Sequence, residues 1–195
     1  MKKLVGILSL VFLMAGVAVA QDFPRVEVFG GYQFLRASQG AAGDDEGFSQ
    51  MFHGWSASGV VNINKYFGVE GVLTGVYGDF YDIDGEPDNP DIDVNARIHN
   101  YSYMFGPRLA VRSNRVTGFA HFLLGGSRMS ISAAASDPNA GMSSNDFAWA
   151  IGGGVDINVI KNFAVRPAQF DFGQIRSDID HVNLVGYSAG VVVKF

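Results

Sequence analysis

Six charged side chains stand out in a chain in which only 17% of the residues are charged. Each of them lies within a stretch where apolar residues alternate with small or polar ones: Glu27, Glu70, Arg108, Asp156, Arg166 and Lys194. Carboxylates close to Arg or Lys form ion pairs when they are buried, and they line a path for ions when water reaches them. Whether these charges form buried ion pairs or line a path for ions depends on the elements that carry them.

The alternation has a period of two, which is typical of strands with one apolar face. It predicts eight strands, at about 25–36, 52–63, 67–79, 98–111, 116–128, 146–157, 163–173 and 182–195. Each strand is near or above the roughly 9–11 residues that a tilted strand needs to cross a bilayer. No segment after residue 20 shows a helical period.

The connections between these strands alternate in length. Short turns are predicted at 64–66, 112–115 and 158–162, and longer polar connections at 37–51, 80–97, 129–145 and 174–181. The short turns and both termini therefore fall at one end of the sheet. An even number of strands with this ordering is typical of barrels from bacterial outer membranes.

The two faces of the strands differ in composition. One face carries small residues, such as Ser56, Ala150 and Gly186, and the other carries large aromatic residues, such as Trp55 and Tyr103. A soluble barrel around an apolar ligand cavity is the alternative, but its outer face would carry Lys, Glu and Thr. Small residues fit the inside of a narrow eight-stranded barrel. We therefore predict an eight-stranded antiparallel transmembrane β-barrel with an up-and-down meander.

In such a barrel the six charges point inward near the short-turn end, where there is little room for water. We predict three couples, Glu70 with Arg108, Asp156 with Arg166, and Glu27 with Lys194, which together close the barrel. A narrow ion channel is the alternative.

The seventh predicted strand breaks the alternation. Arg166 and Asp171 have numbers of opposite parity, so strict alternation would point their side chains to opposite faces, and Pro167 has no amide donor. We therefore also predict a β-bulge at 167–168.

The N-terminal segment predicts export. A basic start, an apolar run and Ala18-Val-Ala20 are typical of a signal peptide at 1–20, which leaves a barrel domain at 21–195. Without Lys2 and Lys3, 12 Lys and Arg face 19 Asp and Glu, a net charge of −7. This acidity argues against nucleic acid as a partner. The chain has no cysteine.

The end of the chain is similar to the C-terminal assembly signal of Gram-negative outer-membrane proteins, through Ser188, Gly190, Val193 and Phe195. Val26-Glu-Val-Phe-Gly-Gly-Tyr32, Phe105-Gly-Pro-Arg108 and Arg166-Pro-x-Gln169-x-Asp171 resemble small OmpA-type eight-stranded barrels. The resemblance implies a cell outer-membrane location with both termini in the periplasm. It also implies contact with outer-membrane lipids, lipopolysaccharide and the barrel-assembly machinery. It does not include the peptidoglycan-binding domain of longer OmpA proteins, so a tethering role is not expected.

Two further sets of residues are of types that could carry chemistry. Oxygen ligands in an acidic connection make a candidate calcium site, although they lack the frame of an EF-hand: Asp82, Asp84, Glu86 and Asp88. Some barrels of this size are lipid-A-modifying enzymes, but no serine lies at the next same-face position after His121. We therefore expect a monomeric surface or structural protein without cofactor, resident metal or catalysis. The alternatives are a surface-ligand-binding adhesin, a narrow channel and a lipid-A-modifying enzyme.

Overall fold

The chain folds as a closed barrel of eight antiparallel strands, each hydrogen-bonded to the next and the last to the first. The computed structural model describes residues 23–38, 49–81, 95–133, 141–176 and 181–195. The strands are β1 (Val26–Ser38), β2 (Ser49–Asn62), β3 (Phe67–Tyr81), β4 (Asn95–Arg112), β5 (Val116–Ala133), β6 (Gly141–Ile160), β7 (Phe163–Arg176) and β8 (His181–Lys194). The predicted fold class is confirmed.

The register of the ladders fixes how narrow the barrel is. A path along cross-strand partners that starts at Val28 passes through Gly59, Gly71, Phe105, Leu124, Trp149, Gln174 and Asn183 and returns to β1 at Ser38. The offset between residues 28 and 38 gives a shear of ten residues. Eight strands leave an interior that is just wide enough for side chains to fill.

Three strands are longer than the sequence predicted by at least four residues. β4 and β5 have 18 residues each and β6 has 20. Most of their additional residues lie at the long-connection end, where Ser132 pairs with Gly141 and Ala96 with Ala133. Apolar alternation marks only the part of a strand that faces lipid, whereas the hydrogen-bonded ladder continues beyond it. The predicted starts of β4 and β6 were therefore too late, and the predicted end of β5 was too early.

The two faces are oriented as the composition predicted. Ser56, Ser188 and Ala150 are buried inside, whereas Tyr103 and Phe105 are 55% and 67% exposed on the outside. Clusters of apolar side chains fill parts of the interior, including Ala37, Phe52 and Val76 toward the long-connection end and Val72, Leu123 and Ala150 below them. Among the described residues, no helix is long and apolar enough to cross a bilayer.

The predicted bulge in β7 is confirmed. Arg166 pairs with Gly190 and Gln169 with Ser188, so three steps along β7 match two along β8. The Tyr187 hydroxyl donates a hydrogen bond of 2.7 Å to the carbonyl oxygen of Pro167. The bulge thus turns a carbonyl to the outer surface, and a tyrosine from the neighbouring strand provides its donor.

Candidate functional site

The six charges singled out in the sequence all lie inside the barrel, in its short-turn half. Their exposures are at most 5%: Glu27 1%, Glu70 0%, Arg108 1%, Asp156 0%, Arg166 0% and Lys194 5%. Each lies at an inward position of its strand because side chains alternate between the two faces. Burial of this degree requires that the charges be paired or hydrogen-bonded.

The tightest couple joins β6 and β7. Arg166 Nε lies 2.6 Å from Asp156 Oδ1, and its terminal nitrogen lies 3.2 Å from Oδ2. The Arg166 guanidinium carbon also lies 4.3 Å from the centre of the Phe29 ring and 4.2 Å from that of Phe119. This two-bond geometry is the strong form of an Arg–carboxylate pair.

Arg108 lies at the centre of a looser group. Its terminal nitrogens are 3.4 Å from Glu27, 3.5 Å from Glu70 and 3.5 Å from Asp156. The Phe119 ring, which also contacts Arg166, lies 3.9 Å from the Arg108 guanidinium carbon. Arg108 is therefore paired with Glu70, as predicted, but it shares its charge among three carboxylates.

The third predicted couple is wrong. Glu27 and Lys194 are opposite each other in the β1–β8 ladder, but Lys194 Nζ donates to Asn158 Oδ1 at 2.6 Å. The Glu27 carboxylate is held instead by Arg112, at 2.7 Å, and by Arg108. Neighbouring strands bring Cβ atoms together, but long arginine side chains from β4 cross the narrow interior and reach Glu27 first.

A histidine that was not among the six charges predicted from the sequence completes the group. His121 Nδ1 lies 2.8 Å from Glu70 Oε2, and Nε2 lies 2.7 Å from Asp171 Oδ1. Its cross-strand neighbour on β6 is Gly152, where an added Cβ would collide with Asp171 Oδ1 and come within 2.9 Å of His121 Nε2. The missing side chain at residue 152 is what allows the contact between His121 and Asp171.

Hydrogen bonds join these groups into one continuous network. Gln169 accepts from Arg166 at 2.7 Å and donates to Asp171 at 2.8 Å, and so connects the Asp156 couple to His121. We call the joined set the ion-pair network: Glu27, Glu70, Asp156, Asp171, Arg108, Arg112, Arg166, His121 and Gln169. Lys194 is buried in the same half of the barrel but donates to Asn158 instead, so the network sets four carboxylates against three arginines and Lys194 is a separate fourth cation.

The titratable groups of the network are engaged with one another. Both ring nitrogens of His121 are engaged by carboxylates, and the hydroxyl of Ser58 donates to Glu70 at 2.8 Å instead of to a histidine. A nucleophile would need a free base beside it. Within the described residues, no group of His, Asp and Glu is arranged to hold a metal ion. The candidate calcium ligands Asp82, Asp84, Glu86 and Asp88 lie outside those residues, as does the predicted signal peptide.

Three residues of the assembly-signal motif lie on β8, and Phe195 follows its last residue directly. Ser188 is buried and Gly190 is half-buried, while Val193 and Phe195 point outward with exposures of 37% and 42%. Phe195 is tied to the first strand, since its backbone amide donates to Val26 at 2.9 Å and its carbonyl accepts from Arg25 at 2.7 Å. The motif therefore lies along the β8 side of the β1–β8 seam.

Comparison with known protein families identifies the family of this barrel. The model of the outer membrane protein beta-barrel domain matches residues 5–195. The chain belongs to that family. As an outer membrane β-barrel protein, it has its apolar outer face in lipid, and the buried charges described above lie within a transmembrane barrel.

Solved structures of other outer membrane barrels share the fold. Neisserial surface protein A is 16% identical, with a TM-score of 0.60, and the match covers 90% of this chain and 100% of that one. Ail of Yersinia pestis, solved with the heparin analogue sucrose octasulfate, is 18% identical with a TM-score of 0.58, covering 87% and 97%. OprG of Pseudomonas aeruginosa is 12% identical with a TM-score of 0.53, covering 90% and 98%. No curated protein sequence matches the chain.

Proposed function

We propose that this outer membrane β-barrel is a monomeric surface and structural protein whose interior is plugged by the ion-pair network. The observation that carries the proposal is the burial of paired charges: Arg166, Asp156 and Glu70 are each 0% exposed inside the barrel. Because a continuous water path would expose at least some of these groups, the geometry favours closure over conduction. The network also ties β1, β3, β4, β5, β6 and β7 together across the interior.

We further propose the orientation in which the short turns and both termini face the periplasm and the long connections face outward. Short periplasmic turns and longer extracellular connections are the rule in such barrels. In this orientation the outer-leaflet lipopolysaccharide surrounds the long-connection end, and the barrel-assembly machinery engages the Ser188–Phe195 motif.

Trypsin treatment of intact cells tests the orientation. The short turns carry Lys65, Arg115 and Lys161, all exposed. We expect these sites to be protected in intact cells and cut after the outer membrane is permeabilised. Cleavage at any of them from outside would show the opposite orientation.

Solute uptake by liposomes tests the plug. Vesicles that contain the folded barrel should swell in an isotonic sugar solution no faster than empty vesicles. A general porin in the same lipid is the control that shows the assay responds. Rapid swelling with this barrel would favour the channel alternative.

Binding of a surface ligand is a second candidate, supported by the long connections. Residues 79–93 contain seven Asp or Glu and no Lys or Arg. Ail was solved with a polyanion, sucrose octasulfate, and an acidic connection would repel such a ligand. If the long connections of this barrel bind a ligand, a cationic one fits their charge. Loss of binding on deletion of 82–94 is the test.

A further inference from the structure

Two histidines interrupt the apolar outer surface near the long-connection end. His53 on β2 and His99 on β4 are both cross-strand partners of Tyr77 on β3, so the three side chains form one row. Both histidines are exposed. The Tyr77 and His99 rings meet edge to face at 5.3 Å, and Tyr32 stacks on His53 at 6.2 Å.

A second row lies directly below the first. Trp55 and Tyr101 are both cross-strand partners of Gly75, and Arg128 on β5 is the partner of Tyr101. An added Cβ at Gly75 would lie 2.6 Å from Trp55 Nε1, so the indole covers the glycine. Trp55 Nε1 donates to the Tyr77 hydroxyl at 3.3 Å, which links the two rows. We call these residues the His–Tyr patch: His53, Trp55, Tyr77, His99, Tyr101 and Arg128.

The composition of the His–Tyr patch does not fit simple contact with hydrocarbon. Ionisable side chains on a membrane-spanning segment are costly there and usually serve a function. Arg128 is exposed on the same outer face. His53, Tyr77 and His99 lie within five residues of the long-connection ends of their strands, and the second row lies two residues further in. This position corresponds to the level of lipid headgroups, where amphipathic rings concentrate.

The chemistry of the patch specifies its ligand. An arginine and two imidazoles are donors to phosphate oxygens. Tyr and Trp rings offer flat apolar faces with polar edges, which match the alternating C–H and O–H surfaces of a sugar ring. Leu73 and Phe105, exposed on the same side at 54% and 67%, continue the surface as a track for acyl chains. A glycerophospholipid has the phosphate and the chains but no sugar ring.

We propose that the His–Tyr patch binds the phosphorylated sugar headgroup of lipopolysaccharide, the lipid A disaccharide. The in vivo occupant depends on the proposed orientation, which places this end in the outer leaflet. Arg128 and the two histidines contact phosphate, while Trp55, Tyr77 and Tyr101 contact the sugar rings. The barrel thereby gains one preferred glycolipid on the β2–β5 side of its surface.

Trp55 itself can report the binding. The chain has two tryptophans, so a Trp149→Phe background leaves Trp55 as the only indole. Bisphosphorylated lipid A, monophosphoryl lipid A and phosphatidylglycerol are each titrated into the folded barrel in detergent micelles. We expect a saturable change in Trp55 fluorescence with lipid A, weaker binding of the monophosphoryl form, and the weakest binding with phosphatidylglycerol.

Variants complete the experiment. Arg128→Gln should weaken lipid A binding about fivefold, since one cation near an anionic headgroup is worth roughly that factor, and His53→Leu/His99→Leu should weaken it further. Arg176→Gln, at an exposed arginine on β7, is the matched control and should have no effect. Heat-modifiable migration on gels verifies folding of each variant.

Equal affinity for lipid A and phosphatidylglycerol, or equal loss from Arg128→Gln and Arg176→Gln, would overturn the proposal. So would the lack of a saturable signal. Micelles have no sidedness, so these outcomes do not depend on the orientation, which the trypsin experiment decides separately.

Discussion

Replacement of Asp156 by Asn tests whether the interior charges are energetically coupled. The Asp156–Arg166 couple has contacts of 2.6 and 3.2 Å, and both side chains are 0% exposed. In Asp156→Asn, Arg166 keeps only Gln169 and two aromatic rings, and no carboxylate balances its charge. A buried charge left without its partner costs about 3–5 kcal/mol of unfolding free energy.

The reverse substitution should cost less. In Arg166→Met, Asp156 keeps the contact of 3.5 Å to Arg108, so we expect a loss of about 2–3 kcal/mol. The double variant Asp156→Asn/Arg166→Met removes both charges and leaves an apolar side chain of similar length. Its loss should fall below the sum of the two single losses by at least about 1 kcal/mol.

Urea unfolding of the barrel in lipid vesicles, followed by tryptophan fluorescence, measures these free energies. Arg115→Gln, at an exposed turn residue, is the control and should change stability by no more than about 0.5 kcal/mol. Strictly additive losses, or a loss under about 1 kcal/mol for Asp156→Asn, would refute the view that these charges are dry and mutually dependent.

Three further outcomes follow from single contacts, and each is measured against wild type. Gly152→Ala should destabilise the barrel by about 1–3 kcal/mol in the same urea experiment, because the added Cβ intrudes on the contact between His121 and Asp171. Gly59→Ala is the control and should be nearly neutral, because the space beside Gly59 is open. Equal effects of the two substitutions would contradict this. Tyr187→Phe removes the donor for the Pro167 carbonyl and should cost about 1 kcal/mol; unchanged stability would show that the carbonyl needs no partner. Phe195→Ala should lower the fraction of protein in the outer membrane and raise the periplasmic fraction in cell fractionation; equal fractions would count against the assembly motif.

The sequence predicted the barrel well because its fold is dictated by local alternation. The alternation of side chains along each strand placed Glu70 and Arg166 inside. The break in that alternation at Pro167 located the bulge. The same local rule could not find contacts across the interior. His121 lies on β5, but its partners come from β3 and β7, which are not neighbours of β5 in the sheet.

One signal for His121 was available in the sequence, because it alternates with Phe119 and Leu123 and therefore shares their inward face. The register of the ladder adds that the residue opposite it is Gly152, which leaves room for a large side chain. The error at Glu27 has the same origin as the miss at His121. Strand neighbours predict which Cβ atoms are close, but the length of an arginine decides which charges meet in an interior this narrow.

Planar-bilayer recording of the folded wild-type barrel tests the central claim most directly. If the ion-pair network closes the interior, insertion should give no steady conductance in salt solution across a range of applied voltages. Insertion itself is verified by recovery of heat-modifiable protein from the same membranes. A stable open channel of porin size in the wild type would contradict the account.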